Sequence, residues 1–338
     1  MNTYKTRAYS AASATALLAS TQINRREPTA TDVQIEILFC GVCHSDLSML
    51  NNDWGTSQYP VVLGHEAIGR VVEIGSAAKG IQVGQRVGIG WTAGSCMHCR
   101  PCKSGNQHLC AQAQPTIVGR YGAFASRVRS HWAWAVPIPE SMPAAEAGPL
   151  LCGGITVFNP IVQFDVRPTH RVGVIGIGGL GHLAIRFLRA WGCEVTAFTS
   201  SADKGPEARA MGAHEVVNSR DSSALAAVAG RYDFILNTVN VSMDWAAYIN
   251  ALAPRGRLHI VGAVDQPIPV AAFPMLVGQK SLSGSPLGSP ATVATMLDFA
   301  ARHGVAPTCE YFPMSRVNDA LARLRSGKAR YRVVLTAG

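Results

Sequence analysis

The sequence predicts an α/β protein in two domains, a β-rich, barrel-like domain and a doubly wound parallel sheet. Three observations predict it. The first 150 residues are punctuated by Gly, Pro and short β-branched runs, the mark of strands joined by turns. From about residue 165 the order becomes strand, glycine turn, helix, strand, in RVGVIGIGGLGHLAIRFLRAWGCEVTAFTSS. Beyond it, buried-strand patterns alternate with Ala-rich segments, as in a parallel sheet with crossover helices. With 338 residues, 48% hydrophobic and 15% charged, the chain can fill two cores, and this balance excludes intrinsic disorder.

In the first domain, VQIEILFCGVC (33–43), EAIGRVVEIG (66–75) and QRVGIGW (85–91) read as strands, and VEIGSAAKGIQVGQRV alternates strands with glycine turns as a compact barrel does. In the second, RYDFILNTVN and GRLHIVGAV read as buried strands, with EARAMGA, ALAAVAG and DWAAYINALA between strands. The tail, ATVATMLDFAARHG and VNDALARLRSGKARYRVVL, reads as two helices and a last strand. The expected domains are 1–150, completed by 290–338, and 151–289. No apolar run approaches the roughly 20 residues that span a bilayer. The start, MNTYKTRAYSAASATALL, lacks the apolar core and cleavage site of a signal peptide, so a cytoplasmic protein without membrane contact is expected. The net charge of +9 comes from scattered Lys and Arg, with no run longer than Arg25-Arg26. This favours a solubilising surface over nucleic-acid binding.

Gly176, Gly178 and Gly181 form GxGxxG, with Gly179 and Leu180 inside the turn, after an apolar strand and before a helical pattern. Gly176 permits the tight turn, Gly178 lets the backbone approach a pyrophosphate, and Gly181 allows close helix–strand packing. The helix N-terminus then offers N–H groups to phosphate. An NAD site carries an acid at the end of the second strand. EVTAFT runs instead into Thr199, Ser200 and Ser201, whose hydroxyls can donate to a 2′-phosphate, with Lys204 supplying charge. Asp203 lies past the strand end and reads as a first-turn helix acid. NADPH is therefore expected in preference to NADH.

The nine cysteines are not distributed as a disulfide framework. Cys96, Cys99, Cys102 and Cys110 make C-x2-C-x2-C-x7-C, which can enclose one tetrahedral zinc and pin a lobe (96–110) with little core of its own. The iron–sulfur alternative lacks the Pro after the last Cys and has no second cluster. His98 and His108, inside the lobe, read as solvent-facing, and Cys40, Cys193 and Cys309 as buried thiols. A second set is dispersed: Cys43 in CGVCHSDL, His65 in LGHE and Cys152 in LLCGGITV. Two Cys and one His with an open fourth position make a catalytic zinc environment. Taken singly, Cys152 reads equally as a buried thiol and His65 as a loop histidine.

Through CGVCHSDL, GHEAIGRVVEIG, the four-cysteine lobe, LLCGGITVF, GIGGLGHLA and GKARYRVVL, the chain resembles the zinc-containing medium-chain alcohol dehydrogenases over essentially its whole length. Within them it is similar to the cinnamyl-alcohol-dehydrogenase-like branch, and to bacterial broad-range NADPH-dependent aldehyde reductases in SDLSML, DWGTSQYP, RVGIGWTA, AGPLLCGGITVF and VVNSRD. The resemblance implies a GroES-like catalytic domain, completed by the C-terminal strand, on a Rossmann domain, with the active site in the cleft between them and a homodimer through the Rossmann domains. It implies two zinc ions per chain, with Cys43, His65 and Cys152 on the catalytic one and Glu66 a nearby carboxylate that transiently approaches it.

The same resemblance makes Asp46 the acceptor for the His65 imidazole, Ser45 the proton donor to the substrate oxygen and His44 a pyrophosphate contact. Thr156 would pack near the nicotinamide. Many relatives continue the proton relay to a histidine; here that position is Ser48. Trp54 and Trp91 fall where the family lines its substrate channel, with core packing as the alternative for each. One of Arg330 and Arg332 reaches the pyrophosphate. The implied activity is reversible reduction of aromatic and aliphatic aldehydes to primary alcohols by hydride from NADPH, with zinc as Lewis acid; NAD-dependent alcohol oxidation is the alternative.

Overall fold

The computed structural model describes residues 3–337. The chain forms two compact units, Met1–Ile155 with Gly288–Gly338, and Thr156–Leu287. Sequence reading puts the first boundary after residue 150; the division falls instead inside the helix Gly153–Gln163, so Cys152 belongs to the first unit with Cys43 and His65.

The first unit is built on a seven-stranded sheet whose central strand is Asp32–Val42. Its alternating apolar residues Val33, Ile35 and Ile37 enter a core with Leu63, Phe124, Val333 and Leu335. It pairs antiparallel with Glu66–Ile74, Arg127–His131 and Arg332–Thr336. Cys309–Pro313 lies at one end of the sheet, and Arg86–Ile89 with Val136–Pro137 at the other. The expected strand 85–91 thus stops at Ile89. The strand Arg332–Thr336 closes the unit beside Cys40–Val42, in register Val333↔Val42 and Leu335↔Cys40. A hairpin, Thr3–Ser10 with Ala19–Arg26, is an addition that the sequence reading does not contain.

In the second unit six parallel strands run in the order Glu215–Asn218, Glu194–Thr199, Arg171–Ile175, Tyr232–Asn237, Leu252–Ile260, Ser281–Gly284. In chain order this is 3-2-1-4-5-6, the doubly wound arrangement, whose direction reverses between Arg171–Ile175 and Tyr232–Asn237. Ligands of such sheets bind beyond the carboxyl ends of the strands at that reversal. The helix Gly181–Trp191 starts there, buries Leu183, Ile185, Phe187 and Leu188, and stops at Gly192, whose φ of 103° only glycine adopts freely.

Among the described residues no single helix is long and apolar enough to cross a membrane. The bent pair Ala144–Leu151 and Gly153–Gln163 is long and apolar enough only when its two segments are taken together. Most of its apolar side chains, Leu150, Ile155, Val157, Phe158 and Ile161 among them, are buried within the protein.

Candidate active site

Cys43 follows the central strand of the first unit and caps the helix His44–Asn51. Its backbone is extended (φ −122°, ψ 164°), and its Sγ accepts from the Ser45 N–H at 3.4 Å. Asp46 completes the cap by accepting the Cys43 N–H on Oδ2 at 2.9 Å. Its other oxygen accepts the Gly64 N–H at 2.9 Å and lies 3.1 Å from His65 Nδ1. One fully buried carboxylate therefore ties the helix cap to the loop carrying His65 and keeps the imidazole proton on Nδ1. His65 Nε2 is left buried with no hydrogen-bond partner.

Cys152 sits at the break between Gly148–Leu151 and Gly153–Gln163, where the flanking helical segments bend by 58°. The ligand atoms of Cys43, His65, Glu66 and Cys152 all lie within 4.8 Å of one another. The Cys43 and Cys152 sulfurs are 3.9 Å apart. A disulfide requires about 2 Å, whereas two sulfurs on one tetrahedral zinc at about 2.3 Å each stand roughly 3.8 Å apart. The spacing and the orphaned imidazole nitrogen both fit a zinc ion. A hydrogen bond from Cys152 holds the Cys43 thiol well below its usual range.

Glu66 is fully buried next to His65. One oxygen pairs with Arg332 and the other has no partner. Burial pushes its carboxyl up to about 7 against the pull of Arg332. Gly41 faces Glu66 across the sheet, and a Cβ there would occupy the place of the carboxylate. Sequence reading leaves Arg330 and Arg332 open for a pyrophosphate. Arg332 is 5% exposed and paired with Glu66, while its Nε has no acceptor. Its actual partner goes unread in the sequence, where the signal is a lone arginine opening the apolar run RVVL.

Ser45 is half-buried, with Oγ 3.6 Å from Cys43 Sγ; Ser48 is buried, and His44 is exposed. Trp91 packs edge-on against both His65 (5.1 Å) and Trp54 (5.7 Å). Trp54 is 44% exposed, which excludes core packing for it, and Trp91 is half-buried.

Cys96, Cys99, Cys102 and Cys110 also converge within 4.8 Å, with Cys96–Cys102 and Cys99–Cys110 at 3.9 and 3.8 Å. Backbone N–H groups of His98 and Cys99 stabilise the Cys96 thiolate, bringing its pKa down to about 6. Four sulfurs at tetrahedral spacing leave no open position, as in a structural zinc site. His98 is exposed, but His108 is half-buried, with Nδ1 shut off from solvent, and this corrects its reading as solvent-facing. Cys40 and Cys193 are buried as read; Cys309 is only half-buried because its strand is at the sheet edge.

In the second unit the glycine turn follows Arg171–Ile175. Gly176 has φ 88°, and a Cβ on it would strike Val239; a Cβ on Gly181 would strike the Gly176 carbonyl. Gly178 is exposed and a Cβ on it would meet nothing within 4 Å, so its backbone is open to a phosphate. Gly179 and Leu180 are half-buried within the turn. Thr199 is buried, its Oγ1 accepting the Ser201 N–H at 3.2 Å, while Ser200 is exposed. Lys204 opens the helix Lys204–Ala210 and donates from Nζ to the Ile177 carbonyl at 2.9 Å, placing its charge on the turn. Asp203 is exposed at that helix's N-cap. Thr156 is buried, with Oγ1 3.4 Å from the Pro286 carbonyl.

Comparison with known proteins identifies the two domains and the family. Residues 29–140 match the alcohol dehydrogenase GroES-like domain and residues 179–302 the zinc-binding dehydrogenase family. The chain is 52% identical to the aldehyde reductase AdhA of Synechocystis over 98% of both chains. It is 36% identical to cinnamyl alcohol dehydrogenase 2 of Rauvolfia serpentina, over 95% of this chain and 92% of that one. Among solved structures, a cinnamyl alcohol dehydrogenase of Sorghum bicolor superimposes with a TM-score of 0.94 at 34% identity, covering 98% of each. An enzyme described as CAD from Helicobacter pylori, complexed with NADP(H), gives 0.91 at 26%, covering 99% of each.

Proposed function

The chain belongs to the zinc-dependent alcohol dehydrogenase family, and from that premise we propose that it reduces aldehydes to primary alcohols, reversibly, with NADPH. The observation that carries this reading is the convergence of Cys43, His65 and Cys152 around a buried, unpartnered His65 Nε2. Zinc held there supplies Lewis-acid polarisation of a carbonyl and stabilises charge developing on its oxygen. The Gly176–Gly181 turn would hold the pyrophosphate of NADPH, whose nicotinamide would be the hydride source.

The chain's own residues prepare that chemistry. Asp46 fixes the ring of His65 and caps the helix at Cys43. Ser45 Oγ, 3.6 Å from Cys43 Sγ, holds the proton that reaches the product oxygen. Arg332 offsets the negative charge that Glu66 would add beside two thiolates. Trp54 and Trp91 supply an aromatic wall that excludes water and suits aromatic or medium-length aliphatic aldehydes. Lys204, with Thr199, Ser200 and Ser201, supplies donors suited to a 2′-phosphate.

A homodimer is supported by Phe273, Leu276 and Val277, each more than 70% exposed on Ala272–Gly278, just before the edge strand Ser281–Gly284. A cytoplasmic setting is supported by the free, metal-spaced thiols. The test of function is NADPH oxidation with benzaldehyde beside a zinc assay. Two zinc ions per chain and turnover are expected, with turnover lost and cofactor binding kept in Cys43→Ser. Full turnover in that variant refutes the assignment.

A further inference from the structure

A second concentration of charge lies in the first unit, on residues that the zinc sites do not use. The strand Ala19–Arg26 ends in Arg25 and Arg26, and Arg120 and Arg129 come to the same cavity of about 360 Å³. Four arginines are among its lining residues, and among the described residues no Asp or Glu is. Asp32 pairs with Arg26 at 2.6 Å and is further occupied by the Thr29 N–H and hydroxyl. The other three arginines have no such partner. Arg25 donates to the carbonyls of Tyr121 and Gly122, and Arg120 to Gln114 Oε1 and the Arg129 carbonyl, all neutral acceptors.

The guanidinium of Arg129 makes no hydrogen bond or ion pair among the described residues. Its Nε and that of Arg25 are both closed off from solvent without an acceptor, and Arg25 is only 6% exposed. The Tyr4 hydroxyl, on the residue paired across the hairpin with Arg25, is also buried without a partner. Burial and neighbouring guanidinium charges pull Arg120 down to about 9 and Arg25 down to about 10. Buried charge without a counter-charge is strongly destabilising, and unpaired donors add to the cost. An anion in the cavity removes both penalties.

We propose that this cavity is a binding site for a compact polyanion of the diphosphate type. Charge sets the valence: four guanidinium groups less Asp32 leave three positive charges. Volume sets the size. A cavity of this volume is at the lower end of small-ligand pockets, roughly 300–1,000 Å³, and single orthophosphate would leave most of it empty. Planar guanidinium forks match phosphate oxygens in pairs.

The test is calorimetric titration of the zinc-loaded protein with inorganic pyrophosphate at low salt, with zinc content checked before and after. The wild type should bind one pyrophosphate that Arg129→Gln binds at least about tenfold more weakly, while orthophosphate and citrate bind more weakly to the wild type. Because the Arg129 guanidinium has no partner, Arg129→Gln should melt at or above the wild type without ligand, and Arg120→Gln serves as an independent second variant. Equal pyrophosphate binding by wild type and both variants overturns the site. Citrate binding as tightly as pyrophosphate overturns the phosphate assignment.

Discussion

Replacing Asp46 by Asn removes one acceptor from a carboxylate that serves three donors. Oδ1 takes the Gly64 N–H and the His65 Nδ1 proton, and Oδ2 takes the Cys43 N–H, all within 3.1 Å and out of contact with water. An amide has one oxygen. If it faces Gly64 and His65, its NH2 group opposes the Cys43 N–H; reversed, it opposes the other two. At least one buried donor loses its partner, at about 1–3 kcal/mol. Since the displaced groups are the backbone of one proposed ligand and the ring of another, that energy should appear in zinc affinity, as about a 5- to 150-fold loss. Competition with a chromophoric chelator reads it directly. One of two zinc ions should weaken by that factor in Asp46→Asn and the other should not. Wild-type affinity within twofold at both sites refutes the claim that this carboxylate organises the dispersed site.

Cys99→Ser should reduce zinc from two ions to one per chain and lower the melting temperature, because the lobe has little core of its own; two retained zinc ions and wild-type melting contradict the closed-site reading. Lys204→Ala should raise the KM for NADPH several-fold and leave that for NADH unchanged, read by initial rates with each cofactor. His259 is buried beside Phe164 and Arg257, and burial first, then the Arg257 charge, lowers its pKa to about 4. The unfolded chain therefore binds the extra proton between pH 6.5 and about 4, so stability present above pH 6.5 is lost as pH falls through that window. The wild type should lose about 3 kcal/mol there relative to His259→Asn, measured by denaturant melts; parallel pH profiles count against it.

Legibility in the sequence tracked distance along the chain. The four-cysteine lobe is readable because its ligands lie within 15 residues and their spacing alone states the chemistry. The glycine turn is readable because strand, turn and helix are contiguous. Thr3–Ser10 and Ala19–Arg26 are not, because TYKTRAYS and ASTQINRR carry few apolar residues to mark a face. Nothing local announces that Cys43, His65 and Cys152 meet. The structure brings them together through the Asp46 cap and the bend at Cys152, and only family resemblance anticipated it. The Glu66–Arg332 pair spans 266 positions and is invisible to any window.

That separation has a consequence for biosynthesis. At about 5–20 residues per second, Arg332 leaves the ribosome roughly 13–50 s after Glu66. Until then the Phe39–Val42 end of the central strand is bare along one edge, and Glu66 sits beside Cys43 with no cation to balance it. Thr156–Leu287 is made in the interval and can fold first. The nascent first unit is thus an incomplete sheet, exposed to pairing with other chains, for most of translation. Its assembly is gated by the arrival of five residues, Arg332–Thr336, and a chaperone that shields that edge should raise the yield more than any change to the finished core.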